Sequence, residues 1–214
     1  MKIKVFSVNP YRMNSYLYYD EINLEGFIID PGYSSDEEFN AVFNFIIKNN
    51  IKINCIINTH GHIDHIAGVN SVREKFGINS YLHRDDIFLI DTITEYSGMF
   101  GFELTEKPII DEFLTENLEL SAGDLKLSFI HTPGHSPGGV CAVDHQNKIV
   151  FCGDLIFRNS IGRTDLPGGN TEILYYSIRN KLFGQCTDDY ILCPGHMETS
   201  TIYEEKNFNQ FLIR

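Results

Sequence analysis

Four metal-capable side chains fall within six residues of Asn58-Thr59-His60-Gly61-His62-Ile63-Asp64-His65, and this segment constrains the fold more than any other. The apolar run Ile53–Ile57 precedes it and helix-like Ala67–Phe76 follows. A helix cannot aim all four groups at one point, because His60 and His62 would diverge by more than half a turn. A strand would put His60, His62 and Asp64 on one face and His65 on the other. A loop between a buried strand and a helix can turn all four together. Three imidazoles and a carboxylate so close, in a chain with eight His, read as metal ligands rather than as packing residues.

Three further sites repeat the pattern. Thr132-Pro133-Gly134-His135 follows the strand-like Leu125–Ile130, Gly153-Asp154 follows Ile149–Cys152, and Pro194-Gly195-His196 follows Tyr190–Cys193. Each candidate ligand comes just after a strand, as residues gathered at one sheet edge would. Five His and two Asp suffice for two ions with open positions. One group (His60, His62, His135) and another (Asp64, His65, His196) can be joined by Asp154 as a bridge. Imidazole and carboxylate suit zinc, the default, and also iron or manganese. Two such ions about 3.5–4 Å apart can share a water and bring its pKa near neutrality.

The rest of the chain alternates between strand and helix signals. Lys2–Val8, Ser15–Tyr19 and Gly26–Ile29 read as strands, and Ser35 opens a helix with Glu38 three residues on, a capping box. Phe39, Val42, Phe43, Ile46 and Ile47 follow at helical spacing until Asn49-Asn50. Gly77 ends the Ala67–Phe76 helix, Ser80–Leu82 is a strand, Asp85–Tyr96 is predicted helical, and Gly98–Pro108 a loop. Val140–Val143 is a further strand, with a turn at Asp144–Asn147. Thr171–Phe183 is predicted helical with Leu174, Ile178 and Leu182 on one face, and a last helix is expected from Thr201. Strands clustered in each half with helices between them point to a layered α+β sandwich in one domain spanning residues 1–214.

Charge and cysteine usage narrow the function. A net charge of −12 and a pI near 5.0 argue against nucleic acid and anionic membrane surfaces as partners. Cys55, Cys141, Cys152, Cys186 and Cys193 form no C-x-x-C pair and sit largely in apolar runs, as free thiols in a reducing compartment do. The N-terminus lacks the apolar core of a secretion signal, and no apolar run approaches a membrane span, so a cytoplasmic protein is expected.

His60-Gly-His62-Ile-Asp64-His65, Thr132-Pro-Gly-His135, Gly153-Asp154 and Pro194-Gly-His196 together resemble the ordered motif set of the metallo-β-lactamase superfamily, from about Asp30 to His196. The resemblance implies a four-layer αββα sandwich with the metal centre at one edge of two sheets. It implies a first metal site of His60, His62 and His135, a second of Asp64, His65 and His196, and Asp154 bridging. Asp64 and Asp154 are then the catalytic carboxylates, and Asp30, in Asp30-Pro-Gly, supports the site without ligating. Within the superfamily the chain is most similar to short glyoxalase II-like hydrolases. That implies a dinuclear hydrolase of a thioester such as an S-acylglutathione, with a small-molecule thiol conjugate as substrate.

Asp154 as bridge disfavours the class B β-lactamases, and His62 disfavours the diiron reductases, which usually carry Glu there. Ile161-Gly-Arg-Thr-Asp165 also resembles a signature of mononuclear iron persulfide dioxygenases, the alternative activity, but their last motif usually reads Pro-Ala-His. A non-catalytic metal-binding domain is disfavoured because structural sites are normally closed. Only 18 residues follow His196, so the C-terminal helical glutathione-binding domain of full-length glyoxalase II is expected to be absent, and Glu198 stands where an aromatic residue is common. Arg163 is open to two readings, a contact to the substrate carboxylate or an ion pair with Asp165. His145 is expected in a solvent-exposed turn, His83 and His131 as hydrogen-bonded packing residues, and Tyr11, Tyr16, Tyr18 and Tyr19 as alternating strand residues rather than a stacking platform.

Overall fold

The computed structural model describes residues 1–213. The first sheet runs in chain order: β1 (Lys2–Val8), β2 (Met13–Tyr19), β3 (Glu25–Ile29), β4 (Lys52–Ile57), β5 (Ser80–His83) and β6 (Glu112–Leu114). β1 to β3 pair antiparallel, and β3 to β6 pair parallel. Helical crossovers make the parallel half possible. α1 (Asp36–Lys48) joins β3 to β4, and α2 (Ile63–Ile66) with α3 (Val69–Phe76) joins β4 to β5. The capping signals act where they were read: Ser35 accepts from the Glu38 amide, and Gly77 closes α3 at φ 63°.

The second sheet begins with an antiparallel meander of β7 (Glu119–Ala122), β8 (Leu125–His131), β9 (Val140–Asp144) and β10 (Ile149–Gly153). A short hairpin of β11 (Ile156–Phe157) and β12 (Ser160–Ile161) follows, and β13 (Ile191–Pro194) then joins β10 in parallel, with β14 (Ser200–Thr201) at the edge.

Side-chain alternation along the strands decides the layers. Tyr16, Tyr18, Phe27, Ile29 and Ile57 meet Leu127, Phe129, Val140, Ala142 and Phe151 between the two sheets. The intervening residues Leu17, Ile28 and Ile56 face outward onto Val42, Ile46, Val69 and Val72 of α1 and α3. On the far side, Ile130, Cys141, Val143, Val150 and Leu192 pack against Leu174, Ile178 and Leu182. Three apolar interfaces between four layers, two of helices and two of sheet, make an αββα sandwich. All five cysteines are buried and free, and no helix of the described residues is long and apolar enough to cross a membrane.

Three local expectations give way to tertiary context. Asp85–Tyr96 is not one helix: Arg84–Asp86 forms a 3-10 turn, and α4 (Ile87–Asp91) and α5 (Ile93–Tyr96) break at Thr92. The expected loop from Gly98 begins inside a second 3-10 turn, Ser97–Phe100. Thr171–Phe183 keeps its apolar face but changes pitch, from α6 (Thr171–Tyr176) through a π-helical stretch (Ser177–Leu182) into α7 (Phe183–Gln185). The chain then closes with α8 (Ile202–Phe208). β6 and β7, of three and four residues, carry too short a pattern to read and exist because neighbouring strands supply their partners.

Candidate metal centre

The C-terminal ends of β4, β8, β10 and β13 deliver the four histidine- and aspartate-bearing loops to one edge of the sandwich. The two sheets are tied together there. The Asn14 amide donates to the Gly195 carbonyl at 2.7 Å and the Tyr16 hydroxyl to the Pro194 carbonyl at 2.7 Å. The Val140 amide donates to the Thr59 carbonyl at 2.9 Å, and within the second sheet the Gly195 amide donates to the Gly153 carbonyl at 2.8 Å.

All seven side chains singled out in the sequence meet at this edge. His62 Nδ1 lies 2.8 Å from His135 Nε2, and the His60 ring centroid lies 4.8 Å from each of theirs. His196 Nε2 lies 3.2 Å from Asp64 Oδ2, and His65 Nε2 lies 3.9 Å from the same oxygen. Asp154 reaches both groups: Oδ1 is 3.3 Å from His65 Nε2, and Oδ2 is 3.6 Å from both His135 Nε2 and His196 Nε2. One ligand atom from each of His60, His62 and His135, or of Asp64, His65 and His196, lies within 4.8 Å of the others in its group.

The far nitrogens of four rings are held by acceptors, which sets their tautomers. His65 Nδ1–H donates to Asp30 Oδ2 at 2.9 Å, His135 Nδ1–H to the Arg163 carbonyl at 2.8 Å, and His196 Nδ1–H to the Tyr11 carbonyl at 3.3 Å. The Thr59 hydroxyl donates to Asp30 Oδ2 at 2.7 Å, so its oxygen accepts from His60 Nδ1–H at 3.1 Å. Each of these rings therefore aims its Nε2 into the centre, the arrangement that orients imidazole ligands in metal sites. Nε2 of His60, His62 and His65 and Oδ1 of Asp154 are buried with no hydrogen-bond partner in the protein. Buried polar atoms are rarely left so. A converging set of imidazole nitrogens and carboxylates is the chemistry of a cation site, and these residues fit divalent ions.

Electrostatics divide the centre. Burial and the neighbouring imidazoles hold His60 well below its ordinary range, and burial pushes His62 down to about 3. Burial would lower His65 and His196 too, but Asp154, Asp30 and Asp64 around His65, and Asp64 and Asp154 around His196, raise both. Burial would raise the carboxyls of Asp64 and Asp154. His65 with His196, joined at Asp154 by His135, outweighs it and holds both low.

Residues outside the motifs build the scaffold. Asp30, buried at φ 51°, also accepts from the Thr59 amide at 2.7 Å, so one carboxylate orders both His60 and His65. Asp86 was read only as part of a helix, yet it is fully buried and accepts from the Gly61 amide, the Ser136 hydroxyl and the Gly138 amide at 2.8, 2.7 and 2.6 Å. It thereby locks the His60–His62 turn to the His135 loop. Asn9 donates to the Gly32 and Asp64 carbonyls, each at 2.9 Å. The only sequence signal for Asp86 was an acid just after a strand end, and for Asn9 a turn before Pro10. At Gly195 a Cβ would lie 2.3 Å from Asp154 Oδ1 and 2.4 Å from His65 Cε1, so the last motif admits no side chain there.

Arg163 lines the cleft above the centre, but its guanidinium is exposed and holds Asp165 through two 2.7 Å bonds. His145 is exposed and bonds the Tyr190 hydroxyl. His83 and His131 stack with ring centroids 4.1 Å apart, and His131 Nε2 donates to the Pro137 carbonyl at 2.8 Å.

A layered αββα sandwich carrying such a centre at its sheet edge defines a class of metal-dependent hydrolases. The chain belongs to the metallo-β-lactamase superfamily, whose description matches residues 9–196. It is 34% identical to the hydroxyacylglutathione hydrolase GloC of Haemophilus influenzae, over 99% of this chain and 98% of that one. Among solved structures it resembles the BLEG-1 B3 metallo-beta-lactamase (TM-score 0.89, 33% identity, full coverage of both chains). It also resembles TTHA1623 in a di-iron-bound form (TM-score 0.85, 31% identity, covering 98% of this chain and all of that one).

Proposed function

We propose that the protein is a dinuclear metallohydrolase that cleaves thioesters, an S-acylglutathione such as S-lactoylglutathione among them. The observation that carries the reading is the pair of ligand groups sharing Asp154, with buried nitrogens and a carboxylate oxygen left unpaired between them. His60, His62 and His135 would hold one ion, and Asp64, His65 and His196 the other. The name of the Haemophilus relative supports the substrate class, and the di-iron form of TTHA1623 supports two ions per chain, with zinc, iron and manganese all compatible with these donors.

Divalent ions in such a site act as Lewis acids and make bound water a nucleophile near neutral pH. The chain supplies the rest. Asp30 and Thr59 keep His60 and His65 in the ligating tautomer, Asp64 and Asp154 balance cationic charge, and Asp86 holds the first turn against the His135 loop. In the net reaction the bond from carbonyl carbon to sulfur breaks. Water gives its oxygen to the acid product and a proton to the thiol.

The last motif, Pro194-Gly195-His196, favours the hydrolase over a mononuclear persulfide dioxygenase, whose corresponding motif usually reads Pro-Ala-His. Metal analysis of protein from its own host, then assay with S-lactoylglutathione, glutathione persulfide and a β-lactam, tests the reading. Two metals and oxygen-independent thioester cleavage are expected. One iron with oxygen uptake on the persulfide, or β-lactam cleavage without thioester turnover, would overturn it.

A further inference from the structure

The cleft over the centre encloses about 1030 Å³ and is built from two unlike ends. The arm after β5 contributes Phe88, Leu89 and Tyr96, with Phe100 beyond them against Tyr11, whose hydroxyl donates to the Phe100 carbonyl at 3.2 Å, and the loop after β12 contributes Leu166 and Pro167. A Cβ on Gly168 would meet Phe88 Cζ at 3.2 Å, so arm and loop touch. A Cβ on Gly61 would meet Leu89 Cδ1 at 3.3 Å, so this apolar wall begins at the His60–His62 turn. Phe88 and Phe100 remain 43% and 39% exposed. Large aromatic rings left open along one wall of a cleft mark a surface that a ligand covers.

The other end follows the last ligand. The Tyr11 carbonyl takes His196 Nδ1–H at 3.3 Å, and Asn14 Nδ2 donates to the Met197 carbonyl at 2.8 Å. Between Tyr11 and Asn14 stands Arg12, exposed and lining the cleft, with a left-handed backbone at φ 57° that a non-glycine residue adopts at a cost. Among the described residues its guanidinium joins no ion pair, whereas Arg163, the other cation of the cleft, is engaged by Asp165. Glu198 lines the cleft as well and matches an ammonium group on the ligand.

We infer that the substrate is a thioester whose acyl half is bulky and apolar, an aliphatic chain or an aromatic group seated on Phe88, Leu89 and Tyr96, and whose thiol half carries an anion bound by Arg12. The inference rests on the thioester reading above and gives it a direction, acyl group toward His60 and His62, carrier toward His196. A short hydroxyacyl group would set its hydroxyl against this wall without a partner and leave the rings in water. Each buried methylene is instead worth about four-fold in affinity. Arg12 matches a carboxylate as a bidentate donor.

The metal-loaded protein is assayed with S-octanoylglutathione and S-lactoylglutathione, and the unreactive thioethers S-octylglutathione and S-methylglutathione are titrated by calorimetry. The octanoyl ester should exceed the lactoyl ester at least about ten-fold in kcat/KM. The octyl thioether should bind at least about ten-fold tighter than the methyl one, with a negative heat-capacity change. Arg12→Gln should narrow the preference for a glutathione carrier over uncharged N-acetylcysteamine by about ten-fold, mainly through KM. Cleavage of both esters with lactoyl preferred, and no tighter binding of the octyl thioether, overturns the inference and leaves the thioester reading intact. Turnover of neither ester overturns the thioester reading, while tight octyl binding would still support the apolar end. An Arg12→Gln variant with unchanged carrier preference removes Arg12 from the proposal.

Discussion

The two halves of the centre differ in ligand chemistry, three imidazoles against two imidazoles and a carboxylate, and the difference shows in the electrostatics of their histidines. His60 and His62 are buried among other imidazoles and are held neutral, His62 down to about 3. His65 and His196 sit among Asp30, Asp64 and Asp154, whose charges raise them. Neutral His60 and His62 can bind a cation without losing a proton. His65 and His196, raised by the carboxylates around them, give up protons when they bind one. Asp154 is the one carboxylate of the seven that reaches both halves.

Breaking that link should have the largest effect. Asp154→Ala should lower both metal equivalents and cut thioesterase activity about 100-fold or more, since even residues that only orient ligands cost 10–100-fold. Elemental analysis beside the assay checks it, and loss of a single equivalent would mean Asp154 serves one half only.

Asp86→Ala separates the halves by another route. Three buried donors, on Gly61, Ser136 and Gly138, would lose their acceptor, so urea unfolding should lose about 3 kcal/mol or more at 1–3 kcal/mol per orphaned group. The His60–His62–His135 half should lose its ion more readily than the other.

Acidification sharpens the contrast in the opposite direction. His65 and His196 keep protons to higher pH than a free imidazole, so a cation there displaces them and its affinity climbs as pH rises through that raised range. His62 titrates only near 3, so from about pH 5 to 8 no proton competes at that nitrogen. Dialysis from pH 8 toward pH 5 should therefore empty one site well before the other, and Asp64→Asn should shift that first loss alone. Simultaneous loss of both ions would show that the halves do not titrate independently.

The smallest effects belong to the exposed groups. Arg163→Ala removes a solvent-exposed ion pair with Asp165 and should change stability by no more than about 1 kcal/mol. His145→Ala should leave metal content and turnover unchanged, because it touches only Tyr190.

Much of this protein was legible in residue order because its chemistry is local. Four potential ligands between His60 and His65 can converge only from a loop, and His135, Asp154 and His196 each follow an apolar strand, so the sheet edge and the seven-residue set could be read directly. Strand alternation at Tyr16–Tyr19 and the helix caps at Ser35 and Gly77 were equally local signals. What escaped was whatever depends on contacts between distant segments. β6 and β7 are too short to carry a period, and the helix after β5 breaks at Thr92. Asp86 and Asn9 acquire their roles only by reaching across 50 and 55 residues to Ser136 and Asp64. Arg12 carries no motif, and its strained backbone beside the cleft appears only once the first turn is folded over His196.

The identities and spacing of the donors therefore determined that a cation centre would form at the ends of strands, since coordination chemistry is written in side-chain type. Which imidazoles stay neutral, which are charged, and which wall of the cleft is apolar were decided by tertiary packing, because burial and the distance to a neighbouring carboxylate are properties of space and not of sequence.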